Sequence, residues 1–157
     1  MSGEQRATGS KGKILVVDDD RLVLATVTHG LSQAGYDVID ADNGDDAILL
    51  ARQHRPDLAL LDIRMEGKSG FDVAAYLREY CQTPFMFLSA FSDEQTVEQV
   101  KALGAVAYLV KPTAAELSWL LLIVLEPLVG RLGARRIRTG RPGHAVAGPT
   151  DGRSTGQ

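Results

Sequence analysis

Five polar side chains that could take part in catalysis or binding lie at or near the ends of apolar runs in this chain. They are Asp18, Asp19, Asp62, Ser89 and Lys111. A short, unbroken apolar run is typical of a strand buried on both faces of a parallel sheet. Because ligands of such sheets sit beyond the carboxyl ends of the strands, we expect these side chains to converge at one edge. Taken singly, each could instead merely solvate a strand end.

Together these residue types predict a phosphoryl-transfer site. Three crowded carboxylates repel one another and need a cation, and an all-oxygen site suits Mg²⁺. Lys111 supplies a point charge for a carboxylate or a phosphate, and Ser89 supplies a hydroxyl donor. In-line attack by Asp62 on a phosphoryl donor would then give an aspartyl phosphate.

Strands and helices alternate along the chain and would place these residues. Alternation of this kind predicts an α/β fold, a doubly wound five-stranded parallel sheet with helices on both faces. Helix caps are expected at Asn43, Ser69 and Ser92, and Gly35 and Gly104 should each end a helix. The predicted strands are Lys13–Val17, Tyr36–Ala41, Leu58–Asp62, Phe85–Ser89 and Val106–Val110; the predicted helices are Arg21–Ala34, Asp45–His54, Phe71–Tyr80, one ending at Leu103 and one opening at Ala114.

The sequence resembles the receiver domain of bacterial two-component response regulators, in particular single-domain, chemotaxis-regulator-like members. The pieces that carry the resemblance are I-L-V-V-D-D-D at 14–20, D-L-A-L-L-D-I-R-M at 57–65, Gly70, F-L-S-A at 87–90 and G-A-V-A-Y-L-V-K-P at 104–112. Each piece is common alone, but five in the right order are specific. The resemblance implies a flavodoxin-like fold with strand order 2-1-3-4-5.

The resemblance also implies a role for each site residue. Asp62 would be the phosphoacceptor, and Mg²⁺ would be held by Asp18, Asp19, Asp62 and the backbone carbonyl of Arg64. Ser89 would be the switch hydroxyl, Lys111 the phosphate-binding lysine and Tyr108 the aromatic switch residue. The peptide bond before Pro112 is cis in this family. On its own, Tyr108 could equally be a strand residue packed on a helix.

The loop after Asp62 departs from the family pattern, and two bulky residues are expected at the rim of the site. Glu66 occupies a position that is usually proline, which predicts a less rigid loop after Asp62. Arg64 and Phe91 each lie two residues beyond a site residue, and a bulky pair there could restrict attacking water. Slow dephosphorylation is therefore a hypothesis, which rapid acyl-phosphate decay unchanged by Arg64→Asn would contradict.

The amino-acid composition limits which kinds of protein this chain could be, and its variation along the chain marks three segments. With 157 residues, 45% of them hydrophobic, the chain is long enough for one domain with extensions. A single cysteine, Cys81, cannot form an intramolecular disulfide, and no signal peptide or membrane span is visible, so we expect a cytoplasmic protein. We expect a flexible leader over 1–12, the receiver domain over 13–130 and a disordered, glycine- and arginine-rich tail over 131–157.

The charge of the C-terminal tail and the composition of the last helix suggest how the domain would act on its partners. The tail carries six arginines and one aspartate, a formal charge of +5, against −8 for the first 130 residues. The last helix is apolar on all sides from Leu117 to Leu125, which favours a homodimer over a helix that only covers the core. Pro127 should kink or end that helix.

The sequence thus predicts a signalling protein that is not an enzyme. It would receive a phosphoryl group from a sensor histidine kinase or phosphotransfer protein and signal through its fourth-helix, fifth-strand and fifth-helix face by protein–protein contact. The alternative is a nucleic-acid-directed regulator of transcription or antitermination that acts through the arginine tail; this ranks second, because the tail has no aromatic residue. An aspartate-dependent phosphatase is a third class, for which no second acid or cap domain is visible.

Overall fold

A computed structural model describes residues 9–90, 93–111, 122–123 and 125–131. Phe91, Ser92, Pro112 and its preceding peptide bond, most of the predicted last helix and most of the arginine tail lie outside these ranges. The chain divides into two units between Leu122 and Ile123. The first holds the strands and helices described next.

Five parallel strands form one sheet in the order β2-β1-β3-β4-β5, which confirms the predicted flavodoxin-like fold. The elements in chain order are β1 Lys13–Val17, α1 Arg21–Gln33, β2 Asp37–Ala41, α2 Gly44–His54, β3 Leu58–Asp62, α3 Gly70–Tyr76 with a π-helical turn Leu77–Cys81, β4 Phe85–Ser89, α4 Glu94–Leu103 and β5 Ala107–Val110.

The core lies on both faces of the three central strands, β1, β3 and β4, whose every residue is buried. Because successive strand side chains point to opposite faces, alternate residues of each strand join one apolar cluster with α2 and α3. That cluster includes Leu15, Leu61 and Phe87 from the strands and Ala47 and Leu77 from the helices. An unbroken apolar run in the sequence is therefore a strand covered on both sides.

Several helix ends follow the predicted side-chain chemistry. Asn43 caps α2 by accepting a hydrogen bond from the Asp46 backbone N–H at 2.8 Å. Ser69 and Asp72 form a reciprocal capping box at the start of α3. Gly104 ends α4 at φ +82°, a left-handed conformation that glycine adopts without a Cβ clash.

Besides one-residue differences at the end of α1 and at the starts of α2 and α3, two predictions about helix ends were wrong. The cap of α4 is Asp93, not Ser92: the Asp93 carboxylate accepts from the Thr96 backbone N–H at 2.8 Å and from the Thr96 hydroxyl at 3.0 Å. Ser92 and Asp93 each stand three residues before a backbone N–H that they could cap. The Asp93 carboxylate makes the stronger hydrogen bond because it is charged. The helix expected over Phe71–Tyr80 stays α-helical only to Tyr76 and then widens into the π-helical turn.

The second unit contains a helical segment over residues 125–131. Pro127 lies within it, so the proline does not end this helix; a proline in a helix can cost one hydrogen bond without terminating it. Throughout the described ranges, every helix falls short of the length and apolarity needed to cross a bilayer.

Candidate functional site

Strand register brings the predicted site residues to one edge of the sheet. Val17 pairs with Leu61, so Asp18 follows beside Asp62, the last residue of β3. Ser89 pairs with Val110, and Lys111 follows β5 with its backbone N–H on the Ser89 carbonyl at 2.8 Å.

The three aspartates form a carboxylate cluster in which one oxygen each from Asp18, Asp19 and Asp62 lies within 4.8 Å of the others. Asp18 and Asp62 are buried and Asp19 is exposed. Carboxylate oxygens at this spacing, with one side open, match the preference of Mg²⁺ for a few carboxylates and several retained waters. The donor set therefore fits a magnesium ion.

Lys111 is the cation that this cluster already contains. Its Nζ donates to Asp18 Oδ2 at 2.7 Å and to Asp62 Oδ1 at 3.3 Å, and only 15% of its side chain is exposed. Burial would lower the pKa of Lys111, but its hydrogen bonds and charge interactions with the two aspartates outweigh burial and raise that pKa. Lys111 is thus held as an ammonium group against the cluster.

The carboxyl of Asp62 is strongly perturbed by its position in the cluster. Burial first, and then the negative charge of Asp18, raise its pKa from 3.8 to about 6, and Lys111 only partly offsets these two effects. A carboxylate that is destabilised by burial and by like charge gains from any added cation or any chemistry that spreads its charge. Perturbed groups of this kind mark functional sites.

The backbone around the cluster is fixed by short local hydrogen bonds. Asp18 Oδ1 accepts from the Asp20 backbone N–H at 2.9 Å, and Asp20 caps α1 by accepting from the backbone N–H groups of Leu22 and Val23 at 3.0 and 3.3 Å. The role of Asp20 as a cap that also orients Asp18 was missed, although an aspartate directly before an apolar-periodic segment signals such a cap.

Gly70 permits the loop after Asp62 to fold back on the site. Its N–H donates to the Ile63 carbonyl at 2.8 Å, and a Cβ at this position would stand 2.1 Å from the Asp62 carbonyl oxygen. Any other residue would force the two backbones apart. Glycine is therefore required at position 70 because the two backbones approach so closely, and a sequence pattern alone does not reveal this approach.

Ser89 and Tyr108 contact each other through their side chains on neighbouring strands. Ser89 is buried and its side chain is hydrogen-bonded to Tyr108. Burial raises the pKa of the Tyr108 hydroxyl, the charge of Asp93 raises it further, and the Ser89 bond opposes both. The two residues that the resemblance assigns to a switch are thus in contact with each other.

A cavity of about 660 Å³ opens next to the cluster, between the loop after β3 and the start of α4. Its lining includes Asp19, Arg64 and Phe71 on one side and Asp93 and Thr96 on the other. Arg64 lies close enough to Asp93 for its charge to lower the pKa of that carboxyl, after the larger effect of the Thr96 hydrogen bonds. The structure places Arg64 at the rim, as expected; Phe91 lies outside the described residues.

Comparison with known proteins matches this geometry to one family. A family model described as the response regulator receiver domain matches residues 14–119. The transcriptional regulatory protein PdtaR of Mycobacterium tuberculosis is 35% identical over 101 residues, which are 64% of this chain and 49% of PdtaR. The alkaline phosphatase synthesis transcriptional regulatory protein PhoP of Bacillus subtilis is 36% identical over 64% of this chain and 42% of PhoP. The chain spans about half the length of such curated relatives or less.

Solved structures give the same result. The chemotaxis protein CheY4 of Vibrio cholerae is 32% identical and superposes with a TM-score of 0.68, covering 73% of this chain and 96% of CheY4. The signal receiver domain of a modulated diguanylate cyclase from Desulfovibrio desulfuricans is 34% identical, with a TM-score of 0.68 over 79% of this chain and 98% of that domain. With a family match across most of the chain and the acidic cluster at the expected strand ends, the chain belongs to the response regulator receiver domain family of two-component signalling proteins.

Proposed function

We propose that this receiver domain accepts a phosphoryl group on Asp62 from a sensor histidine kinase or a phosphotransfer protein. The observation that carries the proposal is the position of Asp62: a buried carboxylate with a raised pKa, 3.3 Å from the Lys111 ammonium and beside two further carboxylates. The family supports the class of reaction, because receiver domains are signalling modules that typically bind Mg²⁺ in an acidic pocket and are generally not enzymes with a substrate of their own.

In the proposed reaction, an Asp62 carboxylate oxygen attacks the phosphorus atom in line with the bond to the donor nitrogen. The new bond is the acyl phosphate, the P–N bond breaks, and the donor imidazole leaves with the electron pair and takes up a proton. Lys111 Nζ, already at the cluster, would hold a phosphoryl oxygen as it gains charge. Ser89 would hydrogen-bond a second one, and its hydroxyl would turn away from Tyr108 to do so.

Magnesium would be held by Asp18, Asp19, Asp62 and the Arg64 carbonyl. When bound, it supplies positive charge that offsets the equatorial oxygens of the transferring group. Asp18 is kept in place by the Asp20 backbone N–H at 2.9 Å, and Asp19 faces the open side of the cluster.

The proposed output follows from the Ser89–Tyr108 contact. A phosphoryl group on Asp62 would draw the Ser89 hydroxyl away from Tyr108, and Tyr108 would then change position on β5. The face built by α4, β5 and the following helix would thereby present a different surface to partner proteins. Self-association through the last helix, over residues 117–125, remains part of the proposal, although most of that segment lies outside the described residues.

Intact mass spectrometry with acetyl phosphate and Mg²⁺ tests the proposal. Wild type should gain one phosphoryl group, and Asp62→Ala should gain none. Asp40→Asn is a matched control, since Asp40 is an exposed aspartate on the edge strand β2, and it should behave as wild type. Equal phosphorylation of Asp62→Ala and wild type would reject Asp62 as the acceptor. A shift in size-exclusion elution on phosphorylation would support the homodimer, and unchanged elution would remove it.

Regulation of transcription or antitermination through the arginine tail is the second candidate. Curated relatives that match this chain, PdtaR and PhoP among them, are named transcriptional regulatory proteins. A salt-sensitive gel shift of RNA or DNA that disappears on deletion of 131–157 would favour this function, since phosphate contacts weaken steeply with salt. No shift at low salt would reject it.

A further inference from the structure

A second cavity lies at the opposite edge of the sheet from Asp62. It has a volume of about 450 Å³, which falls within the range of small-molecule sites. Its walls come from the end of α2 and from the π-helical turn that follows α3, just before β3 and β4 begin. It shares no lining residue with the cavity beside the carboxylate cluster.

The charge of this cavity is positive in a protein whose first 130 residues are acidic overall. Arg52 and Arg55 line it, and among the described lining residues there is no carboxylate. Both arginines also act on the Cys81 thiol in the same cavity, where burial raises the pKa of the thiol and the two positive charges oppose that rise. Two guanidinium groups beside one pocket can hold phosphate oxygens in a forked, bidentate geometry.

The other wall of the cavity is aromatic. Tyr76 and Tyr80 lie one helical turn apart with ring centroids at 4.8 Å, and Tyr80 is 65% exposed. An exposed tyrosine ring beside arginines can stack on a planar, charged ligand. A bare phosphate ion would leave this ring unused, and the flexible side chains of an acidic peptide would not stack on it.

The backbone at the cavity has unusual conformations that set these side chains. Arg55 and Gln82 are the two non-glycine residues with positive φ in the described ranges, at 48° and 53°. Arg55 ends α2, and Gln82 ends the π-helical turn that carries Tyr80. Left-handed non-glycine residues and π-helical turns both recur at functional sites.

The geometry points to a nucleotide-binding site in this cavity, with the phosphates on Arg52 and Arg55 and the base stacked on Tyr80. The site would be independent of phosphorylation on Asp62, since it lies at the other edge of the sheet. Its ligand would add a second, metabolite-borne input to the receiver domain.

Protection of Cys81 from alkylation tests this site on the intact chain. Cys81 is the single cysteine, and iodoacetamide is uncharged, so its approach does not depend on the charge of the pocket. The reaction is run in EDTA, with adenosine or guanosine triphosphate as probes, so that no Mg²⁺-dependent event at Asp62 contributes. A site with a Kd of about 1 mM should slow alkylation by about sixfold at ~5 mM probe.

Three comparisons decide the outcome, each as the ratio of rates without and with probe. An Arg52→Gln, Arg55→Asn double variant should lose protection; asparagine tolerates the left-handed conformation at 55, and circular dichroism checks the fold. Arg21→Gln, at an exposed arginine on α1, should keep full protection. Tyr80→Ala should reduce protection by the nucleotide to that given by inorganic triphosphate. Absence of protection in wild type, protection that survives the double variant, or equal protection by inorganic triphosphate and nucleotide in wild type would each overturn the assignment.

Discussion

Replacing Asp62 with asparagine should stabilise the metal-free protein at neutral pH, even though it removes the proposed phosphoacceptor. The folded protein holds the Asp62 carboxylate in a buried place beside the negative charge of Asp18, and its pKa rises from 3.8 to about 6. Between these pH values the folded state binds more protons than the unfolded state. The contribution of Asp62 to the free energy of unfolding therefore falls as pH rises from about 4 to about 6 and then levels off.

The size of the effect follows from the same pKa. A rise from 3.8 to about 6 corresponds to a destabilisation of about 3 kcal/mol for the charged form. Solvent reaches part of the cluster, so we expect about 1–2 kcal/mol in practice. For a chain of 157 residues this is a rise in Tm of about 3–6 °C for Asp62→Asn at pH 7.5.

Thermal unfolding by circular dichroism in EDTA, at pH 4.5 and pH 7.5, measures this effect. The variant should be more stable than wild type at pH 7.5, and the difference should shrink at pH 4.5. Added Mg²⁺ should raise the Tm of wild type more than that of the variant. Asp40→Asn serves as the control and should change the Tm at neither pH by a comparable amount. A variant less stable than wild type at pH 7.5 would refute the view that the cluster is electrostatically strained without metal.

Three further substitutions test the framework of the site. Gly70→Ala should lower the free energy of unfolding by about 3 kcal/mol in a urea titration, because its Cβ would stand 2.1 Å from the Asp62 carbonyl oxygen; an unchanged urea midpoint would contradict that close approach. Asn43→Ala should cost about 1 kcal/mol by removing the cap of α2, measured in the same way, and Asn43→Ser should restore most of it. Lys111→Met should lower the free energy of unfolding by about 2–3 kcal/mol in EDTA, because it leaves Asp18 buried without its cation. A second change in the same protein, Asp18→Asn, should recover part of this loss. Equal stability of Lys111→Met and wild type would show that the ion pair contributes nothing.

Much of the fold could be predicted because the relevant signals are local. Strands β1, β3 and β4 appear as unbroken apolar runs, since both of their faces are covered, and their predicted bounds are those observed. Parallel register then fixes which residues share an edge, and this is why Asp18, Asp62 and Lys111 could be expected to meet before any distance was known.

The remaining features depend on tertiary contacts that the sequence pattern does not encode. Asp93 rather than Ser92 caps α4, and this depends on competition between two side-chain acceptors that each precede by three residues a backbone N–H that they could cap. The π-helical turn after Tyr76 adds a residue to a helix whose apolar pattern continues without a break. The hydrogen bond between Ser89 and Tyr108 joins two strands across the sheet, and only the assembled register brings these side chains together.

Borohydride trapping of the acyl phosphate tests the central claim most directly. Wild-type protein treated with acetyl phosphate and Mg²⁺ is reduced, which converts an aspartyl phosphate to homoserine, and is then digested with trypsin. Because no lysine or arginine lies between them, Asp57 and Asp62 remain in one tryptic peptide, and Asp57 is an internal control whose carboxylate instead accepts from the Lys13 backbone N–H at 2.8 Å. Fragment-ion spectra should place homoserine at position 62 and aspartate at position 57. Homoserine at another aspartate, with position 62 unmodified, would contradict the proposed phosphoacceptor.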